Sequence, residues 1–196
     1  MEDDELNKAV NSYNNKRSKK RSVKSMLLES VIYILILLCC IFIVPKYIIQ
    51  RTIVDGRSMT STLQDEDNLI VNKMSYYFGD PDRYDIVVLY PDGRANKDVY
   101  YVKRIIGLPG ETIQIIGSDV YINGKIIEDT HRKEPVIDDA GIAAEPLTLG
   151  NDQYFVMGDN RNGSTDSRDF GPVDRKNIDG HIVFRIYPFD SFGLVK

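Results

Sequence analysis

Three regimes of hydropathy follow one another along the chain. Residues 1–25 hold almost nothing apolar, residues 26–49 hold little else, and from residue 50 onward short apolar runs alternate with polar turns. The middle regime is built on Val31–Val44, fourteen residues without a charge. Counting Met26–Ile49, with Glu29 and Lys46 near its ends, brings it to the roughly twenty residues that a membrane span needs. Three roles compete for such a segment: a cleaved leader, a buried core helix and an uncleaved anchor. A cleaved leader ends in small residues, and Pro45-Lys-Tyr-Ile-Ile-Gln-Arg51 has none. A core helix shows polar positions at helical spacing, whereas this run is apolar all round. The pattern predicts one membrane-spanning anchor over 26–49, with Glu29 and Lys46 reaching outward to water.

Beyond the anchor the period is that of strands. Ile86-Val-Val-Leu-Tyr90 stops at Pro91-Asp-Gly93, and Thr112–Ile116 follows the turn Leu108-Pro-Gly-Glu111. Asp119–Ile127 reads as a hairpin, because Asn123-Gly124 suits the left-handed dihedrals of a type I′ turn. Tyr154–Met157 and His181–Tyr187 complete a mainly β domain over 50–196. The polar segment 128–152, with two prolines and little periodicity, is expected to be an excursion from the main sheet, free to vary without touching any chemistry. Tyr76-Tyr-Phe78 fits two roles equally, core packing or contact with lipid headgroups.

Composition adds one ordinary domain plus an appendage: 196 residues, 42% hydrophobic and 28% charged. The tail 1–25 opens with Glu2, Asp3, Asp4 and Glu5 and continues into the basic run Lys16, Arg17, Lys19, Lys20, Arg21 and Lys24, a composition that predicts disorder. Basic residues beside a span favour the cytoplasmic side, so the tail is expected inside and the domain outside. Of 25 Lys/Arg and 29 Asp/Glu, seven and four fall in the tail, leaving 18 against 25, a net of −7, for the remainder. That sign argues against nucleic-acid binding. Both cysteines, Cys39 and Cys40, lie in the apolar segment, so the domain beyond has no internal disulfide and depends on packing.

Candidate chemistry begins with Lys103. In Val99–Ile106 a period of two puts Val99, Tyr101, Lys103 and Ile105 on one face, where the lysine has only apolar neighbours. Desolvation there lowers the pKa. At a reference value near 10.4, under roughly 1% of the amine is neutral at pH 8; a shift to about 8 frees half of it at a cost of roughly 3 kcal/mol. The competing role is a strand lysine that extends to water. Ser58, in Asp55-Gly-Arg-Ser-Met-Thr-Ser-Thr-Leu63, lies seven residues past Arg51, so its hydroxyl is within roughly 25 Å of the membrane surface. Serines in such stretches are usually turn residues. His131 and His181 lack a second histidine at ligand spacing, which disfavours zinc, and a Ser-His-Asp triad through either remains a rival. Gly158–Gly171 is too polar for core and reads as a long Asp/Asn-stabilised turn.

Three stretches, in this order, resemble boxes of the type I signal peptidases, membrane-bound Ser-Lys endopeptidases that remove signal peptides from exported proteins. Ser58-Met-Thr-Ser-Thr-Leu63 is similar to the nucleophile box Ser-Met-x-Pro-Thr-Leu, Tyr101–Glu111 to the lysine box, and Gly158–Gly171 to the box Gly-Asp-Asn-Arg-x-x-Ser-x-Asp-Ser-Arg. Asp82-Arg-Tyr-Asp-Ile-Val-Val88 resembles a fourth, the strand beside the substrate groove. The resemblance implies Ser58 as nucleophile, Lys103 as general base, Ser164 bonded to the lysine amine, and an Asp166–Arg168 salt bridge holding the site, with Gly56 and Met59 in support. It implies antiparallel sheets, no metal or other cofactor, and a shallow apolar cleft for small residues of the Ala-x-Ala type. It also implies signal-peptide-bearing preproteins and the lipid bilayer as partners, proximity to the secretion channel, and a single-pass place in a Gram-positive-like cytoplasmic membrane.

Two positions depart from the family pattern. Ser61 stands where the family has proline, which is expected to loosen the turn behind Ser58. Gly56 stands where many Gram-negative relatives have a hydroxyl, leaving the Ser58 N–H as the expected oxyanion donor. The changed nucleophile box motivates an alternative, a non-catalytic accessory protein for pilin or exported-protein assembly. A self-cleaving Ser-Lys regulator would need a DNA-binding domain and no anchor, which the first 50 residues exclude.

Overall fold

The computed structural model describes residues 4, 5, 7, 8, 23–91, 93, 99–134, 137 and 139–195. Most of the tail expected to be disordered lies outside the described residues, as does Asp92 of the expected turn. The chain divides into two compact units, Met1–Val44 and Pro45–Lys196. The apolar helix α1 (Val23–Leu38) runs on in wider π geometry over Cys39–Ile48. Lys24–Ile48 makes 25 helical residues, with none of its apolar window buried. At 1.5 Å per α-helical residue, and less over the π part, that is at most about 37 Å, in the range of a hydrocarbon core of about 30 Å. A core helix would be buried, and the apolar window of this one is exposed.

Twelve strands are described: β1 (Ile49–Ile53), β2 (Asn68–Asn72), β3 (Ile86–Leu89), β4 (Tyr101–Gly107), β5 (Thr112–Ile116), β6 (Asp119–Ile122), β7 (Lys125–Ile126), β8 (Leu147–Thr148), β9 (Gln153–Met157), β10 (Val173–Asp174), β11 (Ile178–Tyr187) and β12 (Gly193–Leu194). Every neighbouring pair is antiparallel. The larger sheet runs β1-β2-β11-β3-β4-β9-β10 with β12 on β11, and the smaller runs β7-β6-β5-β8. The fold is mainly β. Asn123 and Gly124 take φ of 51° and 76°, the positive values that close the β6–β7 hairpin.

Five described strands go beyond the hydropathy pattern: β1, β2 and the two-residue β8, β10 and β12. β1 begins at Ile49, counted above as the end of the anchor, and β2 is a short apolar triplet between asparagines that is stabilised by partners on both sides, β1 and β11. β11 starts at Ile178, three residues earlier than its pattern suggests, and passes through Gly180. A Cβ there would lie 2.7 Å from Val71 Cγ1, so this glycine permits close strand approach instead of breaking the strand.

Segment 128–152 corrects an expectation. Far from varying freely, it inserts Ile137, Ala143 and Leu149 into the core beside Ile106, Ile113, Phe155 and Met157, and its β8 pairs with β5. Its polar composition hid this, because its apolar residues fall in short groups, such as Val136-Ile137 and Ile142-Ala143-Ala144, and not in a sustained period.

Candidate active site

Ser58 sits in a tight coil between β1 and β2. Thr60 N–H donates to Arg57 O, and Thr62 and Leu63 N–H donate to Met59 O, at 2.9–3.1 Å. Met59 and Leu63 are buried below, in a cluster with Val54, Leu69 and Val88. Two apolar pins therefore fix the coil and leave the Ser58 side chain half-buried at its edge. Gly56 has φ +102°, with no atom within 4 Å of a would-be Cβ, so the backbone angle and not space demands glycine. Ser61 has φ +125°, which proline, held near −65°, does not adopt. The Ser61 hydroxyl donates to His131 O at 3.3 Å, a link from the coil to the 128–152 segment.

Lys103 pairs with Val87 across β3 and is 3% exposed, which removes the strand-lysine-in-water role. Its Nζ lies 2.7 Å from Ser58 Oγ and 5.1 Å from the centre of the Tyr101 ring. Burial pushes its pKa down to about 8, with Asp166 opposing the shift and Arg168 adding to it. The ammonium donates to the hydroxyl; once neutral, the amine can accept from it.

The polar stretch after β9 packs against this pair. Gly158 follows Met157, which pairs with Arg104, and a Cβ on it would sit 2.3 Å from Ser164 Oγ and 2.4 Å from Ser58 O. Its N–H donates to Asp166 Oδ2 at 3.0 Å. Asp166 is fully buried, caps α3 (Ser167–Phe170) and accepts from Arg168 Nε at 2.9 Å. The Ser164 hydroxyl is buried without a partner, so its expected bond to Lys103 is not formed in this arrangement. Gly158→Ala is expected to lower stability by about 1–3 kcal/mol through overpacking. It should also cut the cleavage rate at saturating substrate by about 100-fold by displacing Ser58. Thermal melts and single-turnover rates would read both effects.

Several residues here go beyond the motif roles. Arg104 donates to both carboxylate oxygens of Asp159 at 2.8 Å and to Tyr84 O at 2.7 Å, with both ionic partners buried. Thr62 Oγ1 donates to the same carboxylate at 2.5 Å. Asn160 N–H reaches Ser58 O, and its side-chain amide reaches Arg57 O, both at 3.0 Å. An available signal was that an arginine on the second buried face of β4 requires an acid. The 128–152 segment also enters the site: Asp129 pairs with the buried Arg161, and Lys133 N–H donates to Asp159 O at 2.9 Å. Arg168 Nη1 donates to Asp139 O at 2.9 Å.

Neither histidine hydrogen-bonds Ser58 among the described residues. His131 rests against Tyr84 at 5.3 Å, and His181 stacks on Tyr76 and faces Asp85 at 3.6 Å. Among the described residues no three His, Cys, Asp or Glu side chains converge as metal ligands. A cleft of about 450 Å³ opens beside Ser58 and Lys103, walled by Ile53, Val54, Met59 and Tyr101. The Ser58 N–H has no acceptor among the described residues, while Ser58 O is taken by Asn160.

Fold and site together define a serine endopeptidase carried on a single membrane span. The model of the family described as signal peptidase, peptidase S26 matches residues 27–187, and the chain belongs to that family, whose activity is signal-peptide removal. It is 38% identical to signal peptidase I P of Bacillus subtilis subsp. natto over 91% of this chain and 98% of that one. It is 37% identical to signal peptidase I S of Bacillus subtilis strain 168 over 89% and 97%. With signal peptidase IB of Staphylococcus aureus strain Mu50 the identity is 33% over 87% and 94%. A solved signal peptidase I from Enterococcus faecalis V583, 32% identical, covers 53% of this chain and 97% of its own with a TM-score of 0.42.

Proposed function

We propose that Ser58 is the nucleophile and Lys103 the general base that cleave signal peptides from preproteins. The observation that carries this reading is the 2.7 Å contact between the hydroxyl and a buried amine whose pKa is lowered to about 8. Neutral Lys103 takes the Ser58 proton as Oγ attacks the scissile carbonyl carbon, and the Ser58 N–H donates to the oxyanion that forms. The tetrahedral species collapses, Lys103 hands its proton to the leaving amine, and an ester on Ser58 remains. Lys103 then deprotonates a water that hydrolyses this ester and regenerates both groups. Ser164, buried and unpartnered in the resting site, is the group we assign to hold the amine during these transfers, while Asp166 and Arg168 keep Gly158 in place. The part of the cleft walled by Ile53, Val54 and Met59 suits small residues of the Ala-x-Ala type before the cut.

On this reading the N-terminus lies inside and the catalytic unit outside a cytoplasmic membrane of Gram-positive type, near the secretion channel, and the basic tail supports the orientation. Because only the neutral amine is competent, kcat/KM should rise about tenfold from pH 6 to pH 7 and level off above about pH 9. A pH-independent rate between 6 and 10, measured on one secretory precursor with the cut mapped by sequencing the product's new N-terminus, would overturn the role of Lys103. Stability carries the same sign. The unfolded lysine titrates near 10.5 and the folded one near 8, so the unfolded state binds the extra proton between these values and folding strengthens as pH rises through them.

A further inference from the structure

The catalytic cleft leaves another cavity of the same unit without a role, and it is larger, at about 550 Å³. Lys46, Lys73 and Arg175 line it against one lining carboxylate, Asp179, which pairs with Lys73 at 2.8 Å. Arg175 Nε–H meets Asp80 at 3.3 Å, and Asp80 is mostly exposed. Cations therefore outnumber carboxylates here by three to two, in a unit whose overall charge is negative. The cavity shares no lining residue with the cleft at Ser58.

Its position follows from chain connectivity. Lys46 and Tyr47 are the last residues but one of the membrane-crossing helix, with Lys46 Nζ 5.0 Å from the Tyr47 ring centre. Lys73 N–H donates to Ile48 O at 2.9 Å, which ties the second lysine to the same exit point. A second cavity, about 410 Å³ and mostly apolar, is lined by neighbouring residues of the same stretches of chain. It is walled by Ile48, Ile49, Ile70, Met74, Phe78 and Val183. The helix α2 (Ser75–Phe78) divides the pair: Tyr76 and Tyr77 face the basic cavity, while Ser75 and Phe78 line the apolar one. Phe78 is 84% exposed, a cost in water that contact with hydrocarbon removes.

A basic cavity and an apolar groove, set side by side where the chain leaves the bilayer, match one amphiphile. We infer that this pair of cavities binds an anionic glycerophospholipid, with its phosphate among Lys46, Lys73 and Arg175 and its acyl chains along Ile48, Met74 and Phe78. The bound lipid ties the catalytic unit to the membrane at a second point besides the covalent connection to the span. This inference rests on the single membrane span and not on the Ser58–Lys103 chemistry.

The test uses full-length protein in a non-ionic detergent, mixed with dioleoylphosphatidylglycerol or dioleoylphosphatidylcholine and read by native mass spectrometry. One phosphatidylglycerol should be retained about fivefold more strongly than phosphatidylcholine, because the three cations here exceed the two carboxylates by one charge, which acts on the lipid's net charge. Lys46→Gln should weaken retention about fivefold, the effect of one basic residue near an anionic headgroup, and adding Phe78→Ser should weaken it further. Both positions are exposed, and unchanged cleavage of a short water-soluble peptide would show that the double variant is folded. Equal retention of the two lipids, or undiminished retention by the double variant, overturns the inference. Displacement of the lipid by excess inorganic phosphate would instead assign the basic cavity to free phosphate and overturn the lipid as its ligand.

Discussion

Lys103→Met is expected to reduce cleavage by about 10⁴-fold or more, while the protein becomes more stable at neutral pH, not less. A general base contributes roughly 10²–10⁴ in rate, and members of a nucleophile–base pair fail together, so one loss removes nearly all the covalent route. The stability change has the opposite sign because the lysine is 3% exposed and its pKa is lowered to about 8, mostly by burial. Holding it charged below that pH costs the fold on the order of 3 kcal/mol, and methionine fills similar space without a charge. Ser58→Ala should lose as much activity with little change in the melt, and the double variant should be no worse than either single one. A merely structural lysine would give the reverse, a less stable protein with partial activity. Rates on one precursor, set beside melting curves at pH 7 and pH 10, separate these outcomes. The stability gain of Lys103→Met should shrink at the higher pH, where the parent's amine is already neutral.

The second large effect is expected at Asp159, outside the catalytic pair. Asp159→Ala removes the buried carboxylate that receives two bonds from Arg104 and one from Thr62, leaving a guanidinium that is 1% exposed without its counter-charge. Breaking such a pair from one side costs about 3–5 kcal/mol. Because Thr62 lies in the coil that presents Ser58, cleavage should also fall in the fraction that remains folded. Urea unfolding measures the first effect. Replacing both partners, Asp159→Ala with Arg104→Leu, should recover at least about 2 kcal/mol, since the stranded charge is then gone. An Asp159→Ala melt within about 1 kcal/mol of the parent would show that the pair does not brace the site.

The site was legible in its linear parts and illegible in its joints. Ser58, Lys103, Asp166 and Arg168 were named from three boxes of sequence, and the structure brings the first two into contact and pairs the last two. Arg104 and Asp159 stood inside those boxes, yet their pairing spans 55 positions, and no local pattern relates them. Gly158 could be read only as a turn glycine; its reason, the room its missing side chain leaves for Ser58 O and Ser164 Oγ, exists only after both have arrived. The 128–152 segment was misread for a related cause. A stretch of short apolar groups without a period looks like a loop until Asp129 meets Arg161 and Ala143 meets the core.

Period and composition determined the span, the β character of the remaining chain and the buried face that awaited Lys103, because these depend on how single side chains divide between water, lipid and protein interior. The order of strands, the bulged approach of β11 at Gly180, the brace between Arg104 and Asp159 and the paired basic and apolar cavities at the exit from the membrane were decided by tertiary structure alone. Each of those needs groups distant in sequence to share one low-dielectric neighbourhood, and the strength of a charge, a hydroxyl or an absent methyl group depends on that neighbourhood.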